Sequence, residues 1–279
     1  MSVRIIIDST ADIPDRIKEH VSVVPLRLRF AEEEYIDGVT INKNEFYEKL
    51  IETDVLPQTS QATPYDFTQV YDEITDNGDS AIVLALSSKL SGTYQSACVA
   101  AEDYDNIVVI DTLNVAIGAG ILVEYALNLI ENGMEFDELV AELEAKKNKI
   151  CLIALLDTLE YLKLGGRISK TVALAGGLLN IKPVIMIKDG QVELIGKARG
   201  SKQGNNFLMN YVKENGLDYN MPVLLGYTGL SDHLLQKYIV DSKELWEGKL
   251  DELDIAQVCS VIGIHAGPGA IAVAFFSEE

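Results

Sequence analysis

The sequence predicts an α/β protein of two domains: an N-terminal, mostly parallel sheet flanked by helices (residues 1–155) and a C-terminal α+β domain (residues 156–279). Two observations carry the prediction. From Val3 to about residue 150, short apolar runs alternate with helix-like stretches, the pattern of strands joined by crossover helices. Beyond that point a hairpin signal appears, in which apolar residues 183–187 and 192–195 are joined through Asp189-Gly190. A chain of 279 residues that is 48% hydrophobic and 24% charged is long enough, and globular enough, for two cores.

Taken in order, residues 3–7 form an apolar first strand ending in Asp8-Ser9-Thr10, a polar cluster where open α/β sheets place their ligands. Asp12-Ile13-Pro14 reads as a helix start. Residues 21–30 read as a second strand, with Arg27 and Arg29 alternating against apolar neighbours. A short helix over 42–52 is capped by Asn42. Residues 56–64, with Thr59-Ser60-Gln61 held between Pro57 and Pro64, read as a loop. Thr63 and Pro64 then open a helix over 64–75.

Residues 81–86 read as a buried strand and 94–102 as a helix, so Leu86-Ser87-Ser88-Lys89-Leu90-Ser91-Gly92-Thr93 is a strand-to-helix turn. At such a turn the first helical N–H groups lack intrahelical partners, and the helix dipole favours an anion. Ser91 stands where an N-cap belongs, and Gly92 allows close backbone approach. A serine that merely caps the helix fits the residues equally well.

A strand over 107–110 ends in Asp111-Thr112, and the long helix over 115–131 is apolar nearly all round, hence covered on more than one side. An amphipathic helix over 136–147 and a strand over 151–156 complete the alternation. A short helix over 159–164 ends at Gly165-Gly166 ahead of Arg167, and an apolar segment over 172–179 surrounds Gly176-Gly177. Helices are expected over 203–214 and 232–246 with a strand over 223–227 between them. Strands over 256–263 and 270–276 flank Ile264-His265-Ala266-Gly267-Pro268-Gly269.

The formal charge of −20 argues against a nucleic acid partner, which needs a basic stripe, and against electrostatic docking on an anionic membrane. Cys98, Cys151 and Cys259 are scattered through apolar settings and read as reduced core thiols rather than a disulfide framework or zinc site. The start, Met1-Ser2-Val3-Arg4, runs into a strand without a signal-peptide pattern, and apolar runs stop short of a membrane span. A cytoplasmic protein with no integral membrane segment is expected.

Enzyme signatures are sparse: no Gly-x-Ser-x-Gly elbow, no Walker-type loop and no histidines paired at metal spacing. What remains is hydroxyls, glycines and one late histidine. Thr59, Ser60, Ser91 and Gly92 would converge above the first sheet if both loops lie on its carboxyl edge, and His265, in a Gly/Pro-rich turn, would close over the same point. Alone, the Thr-Ser-Gln triplet reads as an ordinary capped loop and a lone histidine as a structural one.

In combination, Asp-Ser-Thr-Ala-Asp-Ile-Pro from Asp8, Thr-Ser-Gln from Thr59, the Leu86–Thr93 stretch, Val-Ile-Asp from Val109, Leu-Gly-Gly-Arg-Ile-Ser-Lys from Leu164 and His-Ala-Gly-Pro-Gly-Ala from His265 strongly resemble the DegV family over the whole chain. Ala62, Thr63 and Ala266 depart from its usual residues but leave the hydroxyls intact. The resemblance implies one long-chain fatty acid, such as palmitate, held between two α/β domains, with no cofactor. It implies that Thr59 and Ser91 bond the carboxylate with His265 as their neighbour, and that Arg167 lies near the mouth. There a separate ATP-dependent fatty acid kinase would meet the site and convert the carboxylate to an acyl phosphate. Two alternatives stay open at this point: a hydrolase or phosphotransferase with Ser91 as nucleophile and His265 as base, and a lipid buffer without a kinase.

Overall fold

A computed structural model describes residues 2–53, 55–168 and 180–278; the expected apolar segment at 172–179 lies outside them. The first strand, β1 (Val3–Asp8), pairs in parallel with β2 (Val21–Val24) on one side and β6 (Ser80–Ala85) on the other, and β7 (Ile107–Asp111) extends the sheet in the order β2-β1-β6-β7. Six consecutive buried residues in β6 show that this strand is covered on both faces, as central strands of parallel sheets are.

The expected single strand at 21–30 divides at Pro25. Proline has no N–H for a ladder, so the chain leaves the parallel sheet there. It re-forms as β3 (Arg27–Phe30), between β4 (Glu33–Ile36) and β5 (Gln58–Ser60) in a separate antiparallel sheet. The Thr59 stretch is therefore a strand, not a loop, and its register sets Thr59 opposite Leu28. α1 (Lys43–Glu52) and α2 (Pro64–Asp76) follow, each opened by a capping box, through Asn42 with Glu45 and through Thr63 with Asp66.

α3 (Thr93–Ala101) packs with α2 over one face of the parallel sheet. α4 (Ala116–Glu131) packs on β1 and also on β8 (Ile150–Leu155), β11 (Leu224–Tyr227) and β13 (Ile271–Phe276), so its all-round apolar surface is covered by two sheets. α5 (Phe136–Lys146) covers α4.

The second large sheet runs β10-β9-β8-β13-β11-β12, antiparallel except for β11 beside β12 (Asp254–Gln257). β9 (Ile181–Lys188) and β10 (Gln191–Arg199) form the expected hairpin; positive φ at both Asp189 and Gly190 is the two-residue turn that matches strand twist. α6 (Glu160–Leu164), α7 (Gly200–Glu214) and α8 (His233–Asp241) complete this part. The expected helix over 232–246 breaks at Ser242, whose Oγ donates to the Tyr238 carbonyl at 2.6 Å, and a short 3-10 turn follows.

The largest departure comes near the C-terminus. Residues 256–263 are not one strand: β12 ends at Gln257, and Ser260–Ala266 form a helix, α9. Valine and isoleucine favour strands, but packing overrides them here. Gly263 lets α9 lie against α1, since a Cβ there would stand 2.7 Å from Phe46 and from the Tyr47 hydroxyl.

One ion pair ties β3 to α2. The Arg27 guanidinium donates to both Asp66 oxygens at 2.8 and 2.9 Å, and Asp66 also accepts from Thr63 N at 2.7 Å. Those bonds hold the Asp66 carboxyl well below the usual carboxylate range, Arg27 contributing most. A lowered folded-state pKa gives stability that is present above the unfolded value near pH 4 and lost as pH falls. Asp66→Ala is expected to cost roughly 1.5–3 kcal/mol at neutral pH and far less in acid, by urea denaturation at both.

A cavity between two sheets

Loops at the carboxyl edge of the parallel sheet meet α9 and the second sheet around a cavity of about 420 Å³. That volume lies within the range of small-ligand sites. Its body is apolar: Val115, Ala116 and Ile117 of the first turn of α4, Leu152 of β8, Ile185 of β9 and Ile271 of β13 all line it. All six residues singled out from the sequence, Thr59, Ser60, Ser91, Gly92, Arg167 and His265, line the same cavity. Contacts cluster them into a polar end: Thr59 meets His265, Gly92 abuts Gln61, and Arg167 bonds the Leu90 carbonyl beside Ser91, while Tyr227 and Thr228 are further polar residues of the lining.

Thr59 comes from β5 and His265 from the last turn of α9, with Thr59 Oγ1 and His265 Nε2 3.4 Å apart. His265 thus lies on a helix rather than in the Gly/Pro-rich turn, which begins after it at Gly267. Its Nδ1 is buried without a hydrogen-bond partner among the described residues, and Gly165 lies so close that a Cβ there would stand 2.2 Å from it. Burial pushes the imidazole down to about 4, and the nearby Arg167 charge works in the same direction. The ring is neutral at physiological pH.

Ser91 is not the N-cap of α3; Gly92 holds that position. Ser91 Oγ accepts from Thr93 N at 3.2 Å and lies 3.0 Å from Thr93 Oγ1. A Cβ at Gly92 would fall 2.1 Å from Gln61 Oε1, so a larger residue there would displace the Gln61 amide, whose nitrogen donates to Ser96 Oγ at 3.0 Å. Arg167 donates to the Gly165 and Leu90 carbonyls at 2.6 and 3.3 Å, joining the turn after α6 to the Ser91 loop.

Sequence reasoning missed the groups that hold this loop. Buried Asp8 accepts from Leu86 N at 2.7 Å and from Thr10 N and Oγ1 at 2.9 and 2.5 Å. Asp111 accepts from Ser88 N, and the Asn114 carbonyl accepts from Ser87 N at 2.9 Å. Ser87 Oγ in turn donates to the Gly190 carbonyl of the β9–β10 turn at 2.7 Å. The available signal was an aspartate at the carboxyl end of each of two strands that flank β6. Gln61, the last residue of the Thr-Ser-Gln triplet, also lines the cavity, although sequence reasoning did not assign it to the site.

A family model for the uncharacterised DegV proteins matches residues 2–278. The chain belongs to the DegV family. A DegV domain-containing protein of Caldanaerobacter subterraneus is 37% identical over 99% of each chain. Among solved structures, a DegV family protein from Thermus thermophilus, described by its fatty acid binding, superposes with TM-score 0.89 at 32% identity over all of both chains. The fatty acid kinase B3 protein of Streptococcus pneumoniae, loaded with linoleic acid, has the same fold, with TM-score 0.87 at 23% identity over all of both chains. No described helix is long and apolar enough to cross a membrane.

A histidine whose folded-state pKa is depressed contributes stability that is present above its unfolded value and lost as pH falls toward the folded one. His265→Gln is therefore expected to flatten the decline of the urea midpoint between about pH 6.5 and 4. A decline of unchanged slope in that window would contradict the burial of a neutral imidazole.

Proposed function

We propose that this protein binds one long-chain fatty acid, such as palmitate, and presents its carboxylate to a separate ATP-dependent fatty acid kinase. The observation that carries the reading is the division of the cavity into an apolar body and a polar end of hydroxyls and a neutral imidazole. The fatty acid binding described for the Thermus thermophilus relative supports the ligand, and the kinase-associated Streptococcus pneumoniae protein of the same fold supports the partner.

Tail and head contribute differently. A sixteen-carbon chain has about 14 methylenes; at ~0.8 kcal/mol each their burial contributes roughly 11 kcal/mol. Ordering and association offset much of that gain. The carboxylate costs several kcal/mol to bury unpaired, so Thr59 and Ser91 bond it, with His265 beside them and Ser60 and Gly92 at its margin. The first N–H groups of α3, which lack intrahelical acceptors, favour the same charge. Arg167 stands where the kinase would approach. The kinase would supply nucleotide and magnesium; a carboxylate oxygen would take the terminal phosphoryl group, and ADP would leave.

The hydrolase or phosphotransferase alternative gains nothing from the geometry. Among the described residues no carboxylate hydrogen-bonds His265, whose Nδ1 has no partner there, so nothing orients the imidazole as a base. A neutral His265 next to Thr59 suits a fixed dipole at a carboxylate better than an activated base.

Ser91→Ala and Thr59→Ala each remove one bond to a charged group and are expected to weaken palmitate binding by about 1.5–3 kcal/mol, roughly tenfold to a hundredfold in Kd. Calorimetric titration of delipidated protein measures this, and acyl-phosphate yield with an added fatty acid kinase should fall with it. Unaltered affinity and yield in Ser91→Ala would contradict the proposed head-group site.

A further inference from the structure

The imidazole of His265 has little of its own to hold it. Among the described residues Nδ1 has no partner, and the contact from Nε2 to Thr59 Oγ1 is long at 3.4 Å. Its position is therefore set by where α9 places it. α9 is a helix of seven residues with no side-chain cap, so its placement depends on the segment that leads into it.

That segment, Gln257-Val258-Cys259, is tied to the N-terminal half of the chain at three successive residues. Lys43 Nζ, at the first turn of α1, donates to the Gln257 carbonyl. The Tyr47 hydroxyl, one turn further along α1, donates to the Val258 carbonyl at 3.1 Å. Cys259 N donates to Asp12 Oδ2 at 3.1 Å, and Lys43 Nζ closes the ring by donating to Asp12 Oδ1 at 2.8 Å. Asp12 is almost wholly buried, with 1% of its side chain exposed. Beyond the clamp, Gly263 seats α9 directly on Phe46 and Tyr47.

We propose that Lys43, paired with Asp12, is a positioning residue for His265: the pair fixes the start of α9 and, through that rigid helix, the imidazole at the polar end of the cavity. Neither Lys43 nor Asp12 lines the cavity, so neither touches a ligand there. An ion pair whose carboxylate is buried and whose ammonium is half-buried is a poor means of gaining net stability, because desolvation cancels much of the attraction. Its directed bonds to a carbonyl and an N–H two residues apart do specify geometry. Burial is the largest single influence and opposes the Lys43 charge, but its acidic surroundings, Asp12 first among them and Asp37 beyond, together hold its pKa above the ordinary value and keep the ammonium charged as a donor.

The consequence for ligand binding rests on the fatty acid reading above, so the test separates the two. Protein labelled with 15N in its histidines is titrated with palmitate carrying 13C at its carboxyl carbon, for the unaltered chain, the double variant Asp12→Asn/Lys43→Met, and Lys43→Arg. The double variant removes both charges together and leaves no lone buried ion, while its new amide oxygen still accepts from Cys259 N. Expected are displaced His265 ring signals already in the ligand-free double variant, a shifted or split carboxyl resonance, and about tenfold weaker binding, the scale seen for groups that orient a ligand's neighbours. Lys43→Arg should recover most of each signal.

A double variant that changes only the melting temperature, with His265 and carboxyl signals unmoved, would overturn the proposal. If the double variant does not fold, Tyr47→Phe, which deletes the hydroxyl's bonds to the Val258 and Gly229 backbone and keeps the ring, decides: displaced His265 signals support the clamp and unmoved ones overturn it. Failure of the unaltered protein to take up palmitate would instead overturn the fatty acid reading, and the ligand-free His265 signals would still decide the role of Lys43.

Discussion

The constraint on which this architecture depends is the need to cover α4 on every side. Its apolar surface cannot face water, and covering it takes the parallel sheet on one side and the mixed sheet on the other. Glycines set the spacing: at Gly120 a Cβ would fall 1.9 Å from the Asp12 carbonyl, so the loop after β1 lies against the helix backbone. At the start of α4, Val115, Ala116 and Ile117 line the cavity rather than fill it. The site thus follows from the way the core is filled.

Its polar end is assembled from groups that carry no net charge of their own apart from Arg167. On a chain of net charge −20, a fatty acid anion gains nothing from the overall field, so its carboxylate must be satisfied locally. Short-range dipoles can do this, and the site has several: hydroxyls on β5 and on the Ser91 loop, a neutral imidazole, and the start of α3. Each is held from behind. Arg27 and Asp66 tie the neighbourhood of β5, Asp8 and Asp111 hold the Ser91 loop, and Asp12 with Lys43 hold the approach to α9. Preorganisation of this kind lowers the ordering cost at binding.

Much of this was legible in the sequence, because alternation of apolar runs and helix signals reports a parallel sheet directly, and Asp189-Gly190 reports a two-residue turn. Two of the errors share one cause. The strand over 58–60 carries the polar Gln-Thr-Ser, and its identity comes from pairing with β3, a partner distant in sequence. The helix over 260–266 contains Val261, Ile262 and Ile264 in a pattern that local preference assigns to a strand, and only its seat on α1 decides otherwise. For the site, residue types and motif order singled out Thr59, Ser91 and His265, and all three line one cavity. Nothing local could have revealed that Asp8 reaches Leu86 N or that Asp12 reaches Cys259 N, since those bonds span 78 and 247 residues.

The central claim is that the cavity holds a long-chain fatty acid by its tail and a locally satisfied carboxylate. Native mass spectrometry of the protein as purified from its expression host, followed by denaturation and organic extraction, tests it most directly. The account predicts one ligand of fatty acid mass per chain, released unmodified on denaturation. A protein that emerges empty and takes up no added palmitate, or one that carries an adduct on Ser91 or His265 surviving denaturation, would contradict it.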